Sequence, residues 1–321
     1  MIEARGLART FKTRGGTVEA VRGVDFQVGA GEIVGFLGPN GAGKTTTQRM
    51  LTTLLSPTAG EATVAGCDLR RDPVGVRRRI GYVAQGGGTN PAALVDEELV
   101  MQARLHGLDR AEAERRAASI RGLLDLGDLG RRPVKTLSGG QRRRLDIALG
   151  LVHAPQVVFL DEPTTGLDPH SRANLWDHIR ATRAQTGSAV FLTTHYLDEA
   201  DALCDRILII DHGRIVAEGT PSELKRRISG DVVSLNLDGH AEAARALLRG
   251  QPGVHEVVLA EGTVRVTVDR GDEQAIALMR ALEAASIRVL ALHVARPSLD
   301  DVFLTLTGRS LRETEAANAP S

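Results

Sequence analysis

The stretch "LSGGQRRRLDIALG" at residues 137–150 places two glycines directly before a helical pattern that begins with arginines. A glycine turn followed by a helix N-terminus favours phosphate binding, because free backbone N–H groups and the helix dipole both attract an anion. The segment "GPNGAGKTT" at 38–46 has the same construction and adds a lysine. The chain therefore carries two predicted phosphate-binding turns, about a hundred residues apart, and only one of them contains a lysine.

The lysine-containing segment fits the pattern G-x-x-x-x-G-K-[ST]. It follows the apolar strand pattern "EIVGFL" and precedes a helical pattern, which distinguishes a nucleotide-binding loop from an ordinary glycine turn. We expect Lys44 to reach the β- and γ-phosphates, Thr45 to bind Mg²⁺ and Thr46 to bond an α-phosphate oxygen. The residues expected to contact nucleotide here are Gly38, Pro39, Asn40, Gly41, Ala42, Gly43, Lys44, Thr45 and Thr46.

A second chemical signal is "QVVFLDEP" at 156–163, an apolar strand pattern that ends in two acids. We expect Asp161 to bind Mg²⁺ through water and Glu162 to polarise the attacking water. Neighbouring strand residues point to opposite faces, so a kink at Pro163 is expected to bring both acids near the phosphate. The alternative is a strand that simply ends in a solvated turn, which the lysine loop upstream disfavours.

Composition limits the function classes. The chain has 321 residues, which suits two domains, and its 40 basic and 40 acidic residues cancel, so no charge footprint favours nucleic acid. Its two cysteines lie far apart and favour neither a disulfide nor a metal site. The N-terminus has no signal-peptide pattern, and no apolar run approaches the ~20 residues that span a bilayer. We therefore expect any action on a membrane to need a partner.

The patterns divide the chain near residues 221–231. Before this point, apolar runs alternate with helical patterns and predict a largely parallel α/β sheet, with a separate antiparallel group of strands. After it, the order β-α-β-β-α-β predicts a ferredoxin-like fold. A last helix, "PSLDDVFLTLTG", has apolar residues at helical spacing: Leu299, Val302, Phe303 and Leu306. The expected domains are 1–225 and 226–308, followed by a flexible tail, 309–321.

The order of these motifs resembles the nucleotide-binding subunits of ATP-binding cassette (ABC) transporters. The matching segments, in chain order, are the Lys44 loop, "GYVAQ" ending at Gln85, "LSGGQ" (137–141), "VVFLDEP", "GLD" (166–168) and "TTH" (193–195). Within this superfamily, residues 136–172 and the ending "PSLDDVFLTLTG" are similar to the daunorubicin-resistance type of drug-export ATPase. The resemblance implies a P-loop NTPase cassette with a mixed sheet, an antiparallel β subdomain and a helical subdomain, followed by the small α+β domain.

The resemblance also implies residue roles. Two cassettes pair head to tail in this family, so Ser138, Gly139, Gly140 and Gln141 of one copy would close over the ATP held by the Lys44 loop of the other. The remaining roles by matched position are Phe11 stacking on adenine, Gln85 touching Mg²⁺ or the water, His195 contacting the γ-phosphate, and Asp168 acting across the dimer interface. Phe11 has a competing interpretation as a core residue of the first strand.

The function implied is an ATP-hydrolysing subunit of an ABC-2-type exporter. It would act as a homodimer at the cytoplasmic face of the membrane, with ATP and Mg²⁺, a separate membrane permease and a drug or antibiotic as cargo. The open alternatives are export of a lipid or polysaccharide, a soluble cassette ATPase acting on ribosomes or DNA, and a nucleotide sensor without turnover. No catalytic group is predicted after residue 226, and that domain is expected to stabilise the dimer or the permease.

Overall fold

The computed structural model describes residues 1–13, 16–226, 230–260, 263–295 and 298–307. The chain divides into two compact units, and the division falls after Thr220, so the helix Pro221–Arg226 groups with the second unit. The sequence analysis expected a break near 221–231 and domains of 1–225 and 226–308, so its boundary falls within this helix, a few residues after Thr220. The expected tail, 309–321, lies outside the described residues.

The described part of the first unit is built from strands and helices in mixed order. The strands are β1 Ile2–Thr13, β2 Gly16–Val28, β3 Ile33–Leu37, β4 Ala59–Val64, β5 Cys67–Asp68, β6 Ile80–Val83, β7 Val157–Asp161, β8 Ala189–Thr194, β9 Arg206–Asp211 and β10 Arg214–Gly219. The helices are α1 Lys44–Leu51, α2 Pro73–Arg79, α3 Val95–Leu105, α4 Arg110–Leu123, α5 Gly139–Leu151, α6 Pro169–Thr186 and α7 Leu197–Leu203.

The centre of this unit is a six-stranded sheet with the order β10-β9-β3-β8-β7-β6. Every pair from β9 to β6 is parallel, and β10 is antiparallel to β9. Strands β3, β7 and β8 are buried at every residue, because both faces of a parallel sheet are covered. The predicted parallel sheet is confirmed, and its strands end at one common edge.

A second sheet has the order β2-β1-β4-β5 and is antiparallel throughout, as predicted. Both sheets contribute to one hydrophobic core, at whose centre four phenylalanines meet. Phe191 on β8 lies between the other three, with ring centroids 5.5 Å from Phe36, 5.7 Å from Phe159 and 5.8 Å from Phe26. This cluster joins the parallel sheet to the antiparallel one.

Three helices, α3, α4 and α5, lie between β6 and β7 in the chain. Helix α4 begins after Asp109, whose side chain accepts a hydrogen bond of 2.9 Å from the backbone N–H of Glu112. Helix α4 ends at Leu123, and short 3₁₀ helices follow at Gly127–Leu129 and Val134–Thr136. Asp125, with φ of 50°, lies in the left-handed region and stops the α-helix there.

The second unit contains β11 Asp231–Leu237, β12 Val254–Ala260, β13 Thr263–Val268, β14 Val289–Ala295 and the helices α8 Pro221–Arg226, α9 Ala241–Leu248, α10 Gly271–Ala284 and α11 Leu299–Thr307. Its antiparallel sheet has the order β12-β13-β11-β14, which is the ferredoxin-like topology expected from the element order. Its own core includes Val233, Leu235, Val266 and Leu278.

Helix α11 packs only part of its predicted apolar stripe. The predicted helix forms, with Leu299, Val302 and Phe303 buried, whereas Leu306 is 40% exposed. None of the helices in the described ranges is both long enough and apolar enough to cross a lipid bilayer.

We predict that Phe191→Ala destabilises the first unit by about 3–5 kcal/mol, because it removes the ring that contacts three others and leaves a cavity. The chain has a single tryptophan, Trp176 on α6, so tryptophan fluorescence during urea unfolding reports on this unit. Leu105→Ala, at a side chain that is 74% exposed, is the control and should change the free energy of unfolding by less than about 0.5 kcal/mol. Equal effects of the two substitutions would contradict the central place given to Phe191.

Candidate active site

The lysine loop, residues 38–43, joins the end of β3 to the start of α1. Gly43 has φ of 109°, and a Cβ at this position would lie 2.5 Å from the carbonyl oxygen of Ala20, so only glycine fits. At Gly41, φ is 82° and a Cβ would meet no described atom within 4 Å. The loop is therefore closed on the side of β2 and open at Gly41, which leaves its backbone accessible to a phosphate.

Lys44 is held inside this loop. Its ammonium group donates hydrogen bonds of 2.6 Å to the carbonyl oxygen of Gly38 and 3.1 Å to that of Pro39, and the residue is only 5% exposed. Its Nζ atom lies 3.9 Å from Oε1 of Glu162. The Lys44 ammonium group therefore lies between the loop that would hold the phosphates and the Glu162 carboxylate expected to activate water.

Asp161 ends β7 and is buried. Its Oδ1 atom accepts a hydrogen bond of 2.6 Å from the Thr193 hydroxyl, and the Thr45 hydroxyl lies 3.4 Å from the same atom. A hydroxyl and a carboxylate side by side are oxygen donors of the kind that Mg²⁺ prefers. The donor set of Thr45 and Asp161 thus fits a magnesium ion. Thr193 was missed by the sequence analysis, although a polar residue in the apolar pattern "AVFLTT" was a signal for it.

The chain turns away from β7 at Glu162, through the backbone conformation of that residue. Glu162 has φ of 44°, in the left-handed region that costs a residue with a Cβ roughly 1–2 kcal/mol. Its N–H donates to the backbone oxygen of Thr193 at 3.1 Å and lies 3.2 Å from the Thr193 hydroxyl, which anchors this conformation. The sequence analysis attributed the turn to a kink at Pro163. The structure places it one residue earlier, because Glu162 itself has the left-handed φ that ends the strand.

The Glu162 side chain is surrounded by donors. Oε1 lies 3.1 Å from Nδ1 of His195, and Oε2 accepts hydrogen bonds from the Gln85 amide at 2.9 Å and the Thr165 hydroxyl at 3.2 Å. Burial by itself raises the pKa of this carboxyl, but the hydrogen bond and charge of His195, together with Lys44, outweigh it and lower the pKa overall. Glu162 is therefore an ionised, nearly buried carboxylate beside the lysine loop.

Gln85 is brought into the same group from the end of β6. Its amide nitrogen bonds Glu162, so the described contact joins Gln85 to the expected general base and not to Thr45 or Asp161. The structure thus brings together four of the predicted residues, Lys44, Gln85, Glu162 and His195, at one edge of the parallel sheet. The metal-binding role of Gln85 stays a prediction.

The turn at Ser138 forms a second group. Helix α5 begins at Gly139, before the arginines with which the predicted pattern begins. The Ser138 hydroxyl accepts from the Gln141 N–H at 3.3 Å, and the Gln141 amide oxygen accepts from the Ser138 N–H at 3.0 Å. These reciprocal bonds form a capping box and leave the N–H groups of Gly139 and Gly140 at the helix start.

Asp168 belongs to this second group. It caps α6 by accepting hydrogen bonds of 3.0 Å from the Ser171 N–H and 2.6 Å from the Ser171 hydroxyl, which lower the pKa of its carboxyl. A Cβ on Gly140 would lie 3.5 Å from the Ser171 hydroxyl, so the starts of α5 and α6 are neighbours. A cavity of about 230 Å³ lies between them, lined by Ser138, Gly140, Ser171 and other residues of the two helices.

Phe11 lies on β1, opposite Val18 on β2. Its ring is partly exposed and outside the phenylalanine cluster, and the Arg9 guanidinium carbon lies 4.7 Å from its centroid. This position does not match the core interpretation. It leaves an aromatic surface at which an adenine would stack, and that role stays a prediction.

Comparisons with known proteins cover both units. The family described as "ABC transporter" matches residues 21–165, and the family described as "ATP-binding protein DrrA1-3-like, C-terminal domain" matches residues 219–307. The daunorubicin/doxorubicin resistance ATP-binding protein DrrA of Streptomyces peucetius is 45% identical, over 98% of this chain and 96% of that protein. The linearmycin resistance ATP-binding protein LnrL of Bacillus subtilis (strain 168) is 34% identical, over 98% of this chain and 100% of that protein.

Solved structures resemble the first unit. The dimeric post-hydrolysis structure of the ATP-binding cassette MJ0796 bound to ADP and phosphate superposes with a TM-score of 0.62. It is 24% identical and covers 68% of this chain and 98% of its own. At this identity the likeness establishes the fold.

We predict that His195→Ala moves the acidic limb of the pH–rate profile for ATP hydrolysis to higher pH. In the parent chain the pKa of Glu162 lies below its ordinary value of 4.5, so the carboxylate remains ionised at lower pH than usual. ATP hydrolysis is therefore lost only as the pH falls through that lowered pKa. Without His195, the largest contributions that lower the pKa of Glu162 are lost, so that pKa rises and protonation begins at higher pH. The check is kcat measured from pH 4 to 8, with circular dichroism showing that the variant stays folded. His255→Ala, in the second unit, is the matched control. An unchanged acidic limb in His195→Ala would contradict the assigned cause.

Proposed function

Because the chain belongs to the ABC transporter ATP-binding family, we propose that it is the ATP-hydrolysing subunit of an ABC-2-type exporter for a drug or antibiotic. The observation that carries the enzymatic part is the Glu162 carboxylate, kept ionised next to the lysine loop by His195 and Lys44. The drug-resistance names of relatives that match nearly the whole chain support the cargo class.

Hydrolysis follows from the positions of the side chains. The Glu162 carboxylate accepts a proton from the attacking water while the water oxygen bonds the γ-phosphorus. The bond from the γ-phosphorus to the β–γ bridging oxygen breaks, which yields ADP and phosphate. Lys44 supplies positive charge to the phosphate oxygens from within the loop, and His195 and Gln85 hold the carboxylate in place.

The Thr45 hydroxyl and, through water, the Asp161 carboxylate would hold a magnesium ion, whose contribution when bound would be to neutralise phosphate charge. The Thr193 hydroxyl orients that carboxylate through its 2.6 Å hydrogen bond. The protein's own contribution at this position is therefore two oxygen donors on different elements, one at the start of α1 and one at the end of β7.

The working unit proposed is a dimer. Ser138 and the N–H groups of Gly139 and Gly140 form an anion-binding helix start that carries no lysine. Placed over the γ-phosphate held by Lys44 of a second copy, this turn would complete the site, and ATP would join the two copies. Loss of the γ-phosphate removes hydrogen bonds on both sides, so hydrolysis would release the dimer.

The chain is proposed to act at the cytoplasmic face of the membrane, bound to a separate permease that contains the cargo path. The ferredoxin-like second unit, within its described residues, holds none of the residues assigned to hydrolysis. We assign it to stabilising the dimer or the permease contact, and the DrrA-like family match over 219–307 supports a role tied to this exporter type.

The exporter assignment is tested by co-expressing the chain with a candidate ABC-2-type membrane subunit. ATP hydrolysis by the purified complex in liposomes should rise with hydrophobic drugs, and cells should gain resistance that Glu162→Gln abolishes. Stimulation by lipids or polysaccharides without any drug effect would point to the alternative cargo. Turnover that is indifferent to the membrane subunit would contradict the coupling.

We predict that Glu162→Gln traps an ATP-bound dimer, because ATP binding by the lysine loop is kept while proton acceptance is lost. Size-exclusion chromatography with light scattering should show the mass double with ATP and Mg²⁺, and kcat should fall by about 10²-fold or more. Adding Ser138→Arg to this variant should prevent the dimer, because a bulky cation then occupies the anion turn. Hydrolysis by Glu162→Gln at the parent rate would show that Glu162 is not the general base.

A further inference from the structure

Arg143 lies just over one turn after Ser138 on α5 and is 7% exposed. Its guanidinium donates three hydrogen bonds of ordinary length to backbone carbonyls: 2.7 Å to Pro163, 2.8 Å to Ala84 and 3.1 Å to Asp161. Longer contacts of 3.4 Å reach the carbonyls of Gln85 and Glu162. The Arg143 side chain is thus hydrogen-bonded to two separate backbone segments, 84–85 and 161–163.

Both segments carry residues of the proposed reaction. The carbonyl groups of Gln85 and Glu162 point to Arg143, while their side chains meet at 2.9 Å on the other side. Glu162 also has the left-handed backbone, which needs anchoring because it is strained. Its N–H is held by Thr193 and its flanking carbonyls by Arg143, so both sides of the strained peptide are fixed.

The charge of Arg143 has little acidic compensation at close range. The Asp146 carboxylate lies 4.0 Å away, and burial lowers the pKa of Arg143 although the charges of Asp146, Asp161 and Glu199 oppose the change. Arginine stays protonated in proteins, so a buried guanidinium must be stabilised by the carbonyl dipoles around it. A buried charge that is stabilised mainly by backbone carbonyls costs more free energy than an apolar side chain would at the same position of a packed helix.

We propose that Arg143 is a positioning residue for ATP hydrolysis. Its planar fork fixes the backbone at Gln85 and Glu162 relative to each other and to the helix that begins at Ser138. The inference rests on the proposed function, since it assigns Arg143 to the same reaction. An approach of the second copy's nucleotide to Ser138 would therefore act on a helix that is tied directly to the general base.

The shape of arginine is essential to this role. Five N–H groups in a plane reach carbonyls on both segments at once, whereas the single ammonium of lysine cannot donate in three separated directions with the same geometry. Arg143→Lys keeps the charge and loses the bridge. Arg143→Gln removes the charge and keeps a planar donor that reaches one segment only.

The test compares full-length Arg143→Lys and Arg143→Gln with the neighbouring Arg142→Gln, whose side chain is assigned no part in the site. We expect both Arg143 variants to lower kcat by about tenfold to a hundredfold, because small misplacement of a reacting group has effects of this size. The KM for ATP should stay within about threefold, since the lysine loop is untouched. Arg142→Gln should stay within about twofold of the parent in both constants.

Two further measurements separate positioning from a loss of folding. In the Glu162→Gln background, Arg143→Lys should still form the ATP-dependent dimer, which a misfolded chain would not do. Combined with Gln85→Ala, Arg143→Lys should lower kcat by less than the product of the two single effects, because both act on the placement of Glu162.

The outcomes distinguish this inference from the proposed function. An active parent whose Arg143 variants keep kcat within about twofold would overturn the positioning role alone. A fall in kcat that is matched by loss of the ATP-dependent dimer, or that multiplies fully with Gln85→Ala, would reduce Arg143 to a packing residue. A parent chain without ATP hydrolysis would overturn both proposals.

Discussion

The site depends on keeping one nearly buried carboxylate ionised. Glu162 lies among Lys44, Gln85, Thr165 and His195, and the contributions of His195, Lys44 and Thr165 outweigh the burial that would otherwise raise its pKa. The parallel sheet brings these side chains together, because β3, β6, β7 and β8 all end at the same edge. The segment that follows each strand carries one part of the site. The phenylalanine cluster around Phe191 holds three of these strands to the antiparallel sheet beneath them, so the core and the site share the same strands.

The two predicted phosphate-binding turns are built differently. The lysine loop encloses its own cation and opens at Gly41, as a turn would that wraps around phosphates. The Ser138 turn is a compact capping box at the start of α5, next to the start of α6. We propose on this basis that the lysine loop surrounds a phosphate and that the Ser138 turn covers one. This difference in construction supports a composite site, in which each copy supplies both turns to different nucleotides.

The sequence predicted those features that local patterns determine. Buried strands appeared as continuous apolar runs, the lysine loop as a spaced glycine motif, and the ferredoxin-like unit as an order of elements. The left-handed backbone of Glu162 was missed, because it is stabilised by Thr193 on a neighbouring strand and not by Pro163 beside it. The carbonyl contacts of Arg143 were missed for the same reason, since its partners lie 18 to 59 positions away in the chain. Leu306 had helical spacing and yet lies at the surface, because spacing identifies a face and not how much of it is covered.

The central claim is that Glu162 of one copy works with Ser138 of another, and a mixing measurement tests it most directly. Chains carrying only Glu162→Gln are mixed, before ATP is added, with chains carrying only Ser138→Ala, which lose the hydroxyl of the turn without introducing the bulky cation that prevents pairing. Each variant alone is expected to be nearly inactive. In a shared-site dimer, each mixed pair has one site with an intact Glu162 and an intact Ser138. Mixing should then raise ATP hydrolysis above that of either variant alone, to at most about a quarter of the parent rate, because half of randomly formed pairs are mixed and each mixed pair has one intact site of two. A mixture as inactive as either variant alone would contradict the account, because it would mean that both residues serve the same chain's nucleotide.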